Sequence, residues 1–119
     1  MSEKLVIKNL GFSTADAENI ETFFFNGSTL WLKFFDWREQ VWRVEFSEVV
    51  AFSWNQEEVE HQELRDDCVY EVKDSDWLGK YRKIGTIGII DKYKHYKFCF
   101  NAYGILDVIF EEMKVINDK

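Results

Sequence analysis

LWLKFFDWREQVWRVEFSEVVAFSW, the stretch from Leu30 to Trp54, decides the fold and carries four of the five tryptophans. Side chains of a strand point alternately to its two faces. In Leu30 to Phe35 one face therefore carries Leu30, Leu32 and Phe34, and the other Trp31, Lys33 and Phe35. Val41 to Phe46 repeats the pattern, with Trp42, Val44 and Phe46 opposite Val41, Arg43 and Glu45. A helix would scatter Lys33, Arg43 and Glu45 through its apolar stripe. The polar break Asp36-Trp37-Arg38-Glu39-Gln40 has the length of a hairpin loop. After Ser47-Glu48, read as a tight connection, Val49 to Trp54 follows with Val50, Phe52 and Trp54 in phase. The stretch predicts three consecutive antiparallel strands, rich in the aromatic and β-branched residues that suit a pleated surface.

Upstream, Asn26-Gly27 is the strongest turn signal in the chain, because a type I′ turn needs positive φ at both central positions. It should join a strand at Glu21–Phe25 to the first strand of the meander, making four. Lys4 to Phe12 reads as a weak strand or extended arm. Ser13-Thr14-Ala15-Asp16 resembles a short helix start, since Ser13 or Thr14 can accept from unpaired amides.

Downstream, Cys68 to Val72 reads as a short strand. Asp74-Ser75-Asp76 caps a helix over roughly Ser75 to Ile84, with Trp77, Leu78, Tyr81 and Ile84 inward and Gly85 ending it. Thr86 to Ile90 reads as an apolar loop or one more edge strand. Lys94 to Asn101 places Tyr96, Phe98 and Phe100 inward and His95, Lys97 and Cys99 opposite. Asn101-Ala102-Tyr103-Gly104 then turns the chain into a return strand, Ile105 to Val115, with Leu106, Val108 and Phe110 in phase. The expected class is α+β: one domain over 1–119, with an antiparallel sheet of about six to seven strands (meander plus C-terminal hairpin) and one main helix near 75–84.

Eleven phenylalanines in 119 residues imply a core of large rings, and the absence of proline and of low-complexity tracts argues against a linker. Each buried ring contributes on the order of 1.5–3 kcal/mol, so stability requires neither metal nor disulfide. The net charge of −7 disfavours nucleic acid and anionic membrane as partners. The Lys92-Tyr93-Lys94-His95-Tyr96-Lys97 run reads as a strand start with a solvated face rather than a nucleic-acid platform. Leu5 to Ile7 is too short an apolar run for a signal peptide or a span, so a cytoplasmic location is expected, with Cys68 and Cys99 reduced.

Chemistry-bearing patterns are sparse. His95, Cys99 and Asp107 have the residue types of a nucleophile, base and orienter, but His95 and Cys99 on one strand lie about 13 Å apart. His61 with Glu57, Glu58 and Glu60 lacks the fixed ligand spacing of a metal site. Gly79, Gly85 and Gly88 lack phosphate-loop spacing. No catalytic, cofactor or metal residue is assigned, and a non-enzymatic protein is expected.

Two features point to a partner. Gln56 to Asp67 holds six acids (Glu57, Glu58, Glu60, Glu63, Asp66, Asp67) against one base, Arg65, without an apolar stripe. It reads as an exposed loop or marginal helix able to steer a basic protein. Trp37 and Arg38 at the hairpin tip are residue types enriched at interface centres. The structural reading, which weighs more at this tip, folds Trp37 back over the sheet edge and pairs Arg38 with Asp36 or Glu39.

Several segments resemble those of small bacterial proteins to which no activity is attached. They are Phe35-Asp36-Trp37-Arg38, Val50 to Trp54, Leu64 to Val72, Ser75 to Leu78, His95 to Phe98 and Gly104 to Ile109. In size and charge the chain also resembles immunity proteins, which neutralise a toxin. The resemblance implies a protein-binding role and no site residue. The reading from a different class is a small-molecule-binding or enzymatic domain, with an aromatic-lined pocket between sheet and helix. A homodimer through a sheet edge, such as Thr86–Ile90, is a third expectation.

Overall fold

The chain folds as two antiparallel sheets that share one ring-filled core. In the computed structural model, residues 3–55, 68–85, 92–100 and 104–118 are described. They form nine strands and one helix. The strands are β1 (Lys4–Lys8), β2 (Glu18–Phe25), β3 (Thr29–Phe35), β4 (Val41–Ser47), β5 (Ala51–Asn55), β6 (Val69–Lys73), β7 (Lys94–Phe100), β8 (Gly104–Phe110) and β9 (Glu112–Asp118). Helix α1 spans Asp76–Lys83 between β6 and β7. One sheet has the order β2-β3-β4-β9 and the other β1-β6-β7-β8-β5.

The period-two faces of β3, β4 and β7 fall as the sequence requires, whereas Val50 packs with Leu78 and Ile109 and not with Phe52 and Trp54 on the rings. Leu30, Leu32 and Phe34 of β3 and Val44 and Phe46 of β4 are fully buried. They meet Phe98 and Phe100 of β7 and Leu106, Val108 and Phe110 of β8. The Phe46 ring lies 5.6 Å from Phe98 and 4.9 Å from Phe110, both edge-on, and Phe34 lies 5.3 Å from Phe100. Edge-to-face pairs of this kind add about 0.5–1.5 kcal/mol beyond the area they bury. The Asn26-Gly27 turn has φ of 56° and 71°, the positive values that a type I′ turn needs at both central positions.

Several expectations need correction. The described residues form nine strands rather than the six to seven expected. The strand after Ser47-Glu48 does not continue the meander: β5 pairs with β8 in the other sheet, Ser53 opposite Asp107. Ile105 to Val115 is likewise two strands, β8 and β9, in different sheets. The two crossings are pinned together, since Glu111 donates its amide to the Ser47 carbonyl and Val50 its amide to the Ile109 carbonyl. Alternation is identical in either sheet, so these long-range bonds, and not the local pattern, decide membership.

The remaining corrections concern helices. Ser13 to Asp16 forms turns, not a helix start. The buried Thr14 hydroxyl donates to the Cys99 carbonyl at 2.6 Å, and Asp16 takes φ of 52°. In α1, Ser75 is the N-cap as expected, but Ile84 is the C-cap and stands 72% exposed instead of inward. Gly85 at φ of 78° follows it. Cys68 and Cys99 are neighbours, the Cys99 amide donating to the Cys68 carbonyl, and both thiols are unbridged. Thr86–Ile90 and Asn101–Tyr103 fall outside the described residues.

Phe46→Ala would empty a site walled by rings from two strands of the opposite sheet. It is expected to cost about 3–5 kcal/mol in a urea melt. A cost below about 1 kcal/mol would show that Phe46 does not join the two sheets.

Candidate functional site

The β3–β4 hairpin tip is built around one buried carboxylate. Asp36 is 1% exposed. Its Oδ1 accepts the amides of Arg38 and Gln40 at 2.9 and 3.0 Å, and its Oδ2 accepts Trp42 Nε1 at 2.9 Å and Arg38 Nη2 at 3.2 Å. Aspartate is suited to this, because its short side chain reaches the amide two residues on and replaces a backbone turn. Backbone bonds from Glu39 to Asp36 and from Asp36 to Gln40 close the loop, with Glu39 at φ of 64°. Burial pushes the Asp36 carboxyl up, but the hydrogen bonds from Trp42, Gln40 and Arg38 outweigh it and hold it below the usual carboxylate range.

The loop so fixed displays its tryptophan. Trp37 is 61% exposed, and the Arg38 guanidinium sits 5.7 Å over its ring while bonded to Asp36. The expected Arg38–Asp36 pairing is present, but Trp37 does not fold back over the sheet. The other partner residues expected from sequence (Glu57, Glu58, Glu60, Glu63, Asp66 and Asp67) lie outside the described residues.

A second polar cluster lies beneath α1, on the face of the five-stranded sheet away from the rings. Asp107 Oδ1 is 2.6 Å from His95 Nε2 and 2.8 Å from Lys97 Nζ, and Ser75 Oγ is 2.7 Å from His95 Nδ1. All four residues are buried. Ser75 Oγ also accepts the Leu78 amide at 3.1 Å as helix N-cap, while the Glu3 carboxylate accepts the Asp76 amide. The Asp107 carboxylate only accepts, so His95 Nε2 donates to it. Burial pushes the Asp107 carboxyl up, but the bonds from His95 and Lys97 and the Lys97 charge outweigh it and leave it lowered.

Of the trio His95, Cys99 and Asp107, the structure therefore joins His95 to Asp107. The group on the other ring nitrogen is Ser75, not Cys99. The order Ser–His–Asp resembles a nucleophile relay, yet the amide beside the hydroxyl, Leu78 N, is spent on the hydroxyl itself rather than aimed at a developing oxyanion. Trp77 closes over the imidazole at 5.2 Å, and Leu78 packs on Ile109. The cluster acts as a strut that ties the helix start to β7 and β8.

Sequence reasoning took that outer face for a solvated one. The signal was present in β8, where Ile105 and Ile109 flank Asp107: a strand apolar on both faces is covered on both. The space between helix and sheet is occupied by Trp77, Leu78, Tyr81 and Ile109. A depression of about 360 Å³ lies on the other sheet, lined by Thr29, Glu45, Ser47, Glu112, Met113 and Lys114 among others. Among the described residues no three His, Cys, Asp or Glu side chains converge as metal ligands, and no helix is long and apolar enough to cross a membrane. No family model, curated protein or solved structure matches the chain.

Asp36→Ala leaves the Trp42 indole and two loop amides without their acceptor, at an expected cost of about 3 kcal/mol by chemical denaturation. A loss under about 1 kcal/mol would mean the loop closes without it. For Asp107 the sign follows from its lowered pKa. The stability it contributes is complete above the unfolded value near 3.9 and is lost as pH falls through the lower folded value. Asp107→Asn should therefore be less stable at pH 7 and lose stability less steeply than wild type between about pH 4 and pH 2. Parallel acid limbs for the two proteins would contradict the assignment.

Proposed function

We propose that this protein is a non-enzymatic, cytoplasmic binding domain that docks on a basic protein through Trp37 and Arg38, and that toxin neutralisation is the specific form of that role. The observation that carries the reading is a tryptophan held 61% exposed by a loop whose side-chain bonds converge on one buried carboxylate. Exposing an indole is unfavourable, and a chain that orders its loop to do so keeps the ring ready for a partner. Because the loop is already rigid, little side-chain and backbone entropy remains to be lost on docking. Trp and Arg are the residue types that dominate interface energetics.

Charge supplies the partner's chemistry. A chain of −7 with six acids between Gln56 and Asp67 attracts a basic surface and accelerates its capture. A ligand-binding or enzymatic role beneath α1 has the Ser75–His95–Asp107 chain in its favour. That chain spends its donors and acceptors internally, which supports the binding reading over the enzymatic one.

The test is parallel capture from host extract with immobilised wild type and Trp37→Ala, followed by binding kinetics on the retained protein. The expected result is a basic protein held by wild type, with affinity at least about tenfold weaker for the variant. Glu58→Lys, Glu60→Lys and Glu63→Lys together should slow association and flatten its salt dependence. Equal retention by wild type and Trp37→Ala would reject the reading.

A further inference from the structure

The outer face of the four-stranded sheet, opposite the rings, carries an aromatic and charged pattern that is complementary to itself. Cross-strand register places two neighbouring rows there. One runs Phe23, Trp31, Glu45, Lys114 and the next Glu21, Lys33, Arg43, Ile116, each from β2 across to β9. Phe23 is 68% exposed. Trp31 is braced edge-on by Phe25 at 5.4 Å and covered by the Arg43 guanidinium at 4.8 Å, while Arg43 Nε bonds Glu45 at 2.9 Å. The two rows carry Glu21 and Glu45 against Lys33, Arg43 and Lys114, so the acidic excess of the −7 chain does not lie in them. Two copies repel through most of their surface but not through this one.

We propose that two copies of this chain pack these sheet faces together about a two-fold axis that runs between the two rows, in the plane of the contact and across the strands. That rotation keeps each strand over its own counterpart and exchanges the rows. Glu45 then lies opposite Arg43 of the second copy, and Trp31 opposite Lys33. The Lys114 stem lies on Ile116. Each central contact becomes an ion pair or a cation over an indole, repeated twice by the symmetry. Antiparallel sheets stacked this way follow the aligned packing that twisted sheets adopt. Four strands of about seven residues cover on the order of 400 Å² in plan. That is the low end for a specific contact and implies a weak, concentration-dependent dimer. Trp37 lies at the end of the hairpin beyond these rows, so the contact stands or falls independently of the binding role above.

Sedimentation equilibrium between roughly 10 μM and 1 mM chain tests it, in the range expected for a contact of that size. Wild type should pass from monomer to dimer. Arg43→Glu sets two carboxylates side by side on β4, and Glu45→Arg sets two guanidinium groups there. Each should weaken self-association at least about tenfold through like-charge contacts between copies. An equimolar mixture of the two variants should recover the dimer, because each copy then faces the opposite sign. The ion pair within one chain cannot produce that recovery. Lys33→Glu serves as a second reversal at an exposed position should either variant lose its native circular dichroism. A wild type that stays monomeric to about 1 mM, variants that dimerise like wild type, or a mixture of folded variants that stays monomeric would each overturn the proposal.

Discussion

Phe46 touches rings on two strands of the opposite sheet at once, and that contact sets the rest of the molecule. A sheet of four strands and one of five must each bury a face, and here they bury them against each other. Phe34, Phe46, Phe98, Phe100 and Phe110 occupy the space between, largely edge to face. Once the inner faces are spent in this way, whatever the protein does must come from its outer faces, its edges or its loops.

The two outer faces differ. That of the five-stranded sheet is covered by α1 and holds the buried Ser75–His95–Asp107–Lys97 chain, whose groups satisfy one another. Burying such charges is costly unless each is paired, and here the pairing also fixes where the helix begins. On the opposite side of the molecule, the four-stranded sheet presents Phe23, Trp31 and Arg43, and its hairpin presents Trp37 on a loop tied to Asp36. The aromatic residues that the core does not need are concentrated there, which is where a binding role draws its support.

Much of this was legible in the sequence, and what was not has a physical reason. Alternation placed Leu30, Leu32, Phe34, Val44, Phe46, Tyr96, Phe98 and Phe100 inward, and Asn26-Gly27 located its turn, because both signals are local. Sheet membership was not legible: β5 and β9 obey the same period in either sheet, and bonds such as that from Glu111 to Ser47 choose between them. The turn at Thr14 was misread because its hydroxyl bonds a carbonyl 85 residues away. Trp37 and Arg38 were legible as candidates from residue type alone. Asp36, which displays them, was not singled out, since its role depends on Trp42 lying across the strand. The residue types of His95 and Asp107 stand out in the sequence, but their meeting with Ser75 depends on α1 lying over that face.

The most direct measurement of the account is the pattern of nuclear Overhauser contacts from the Phe46 ring and from the β5 backbone. Two sheets closed on one another predict contacts from the Phe46 ring to Phe98 and Phe110, and cross-strand contacts from Ser53 to Asp107. A Phe46 ring without contact to Phe98, together with β5 amides lying against β4, would mean a single continuous meander and would contradict the arrangement from which every site above follows.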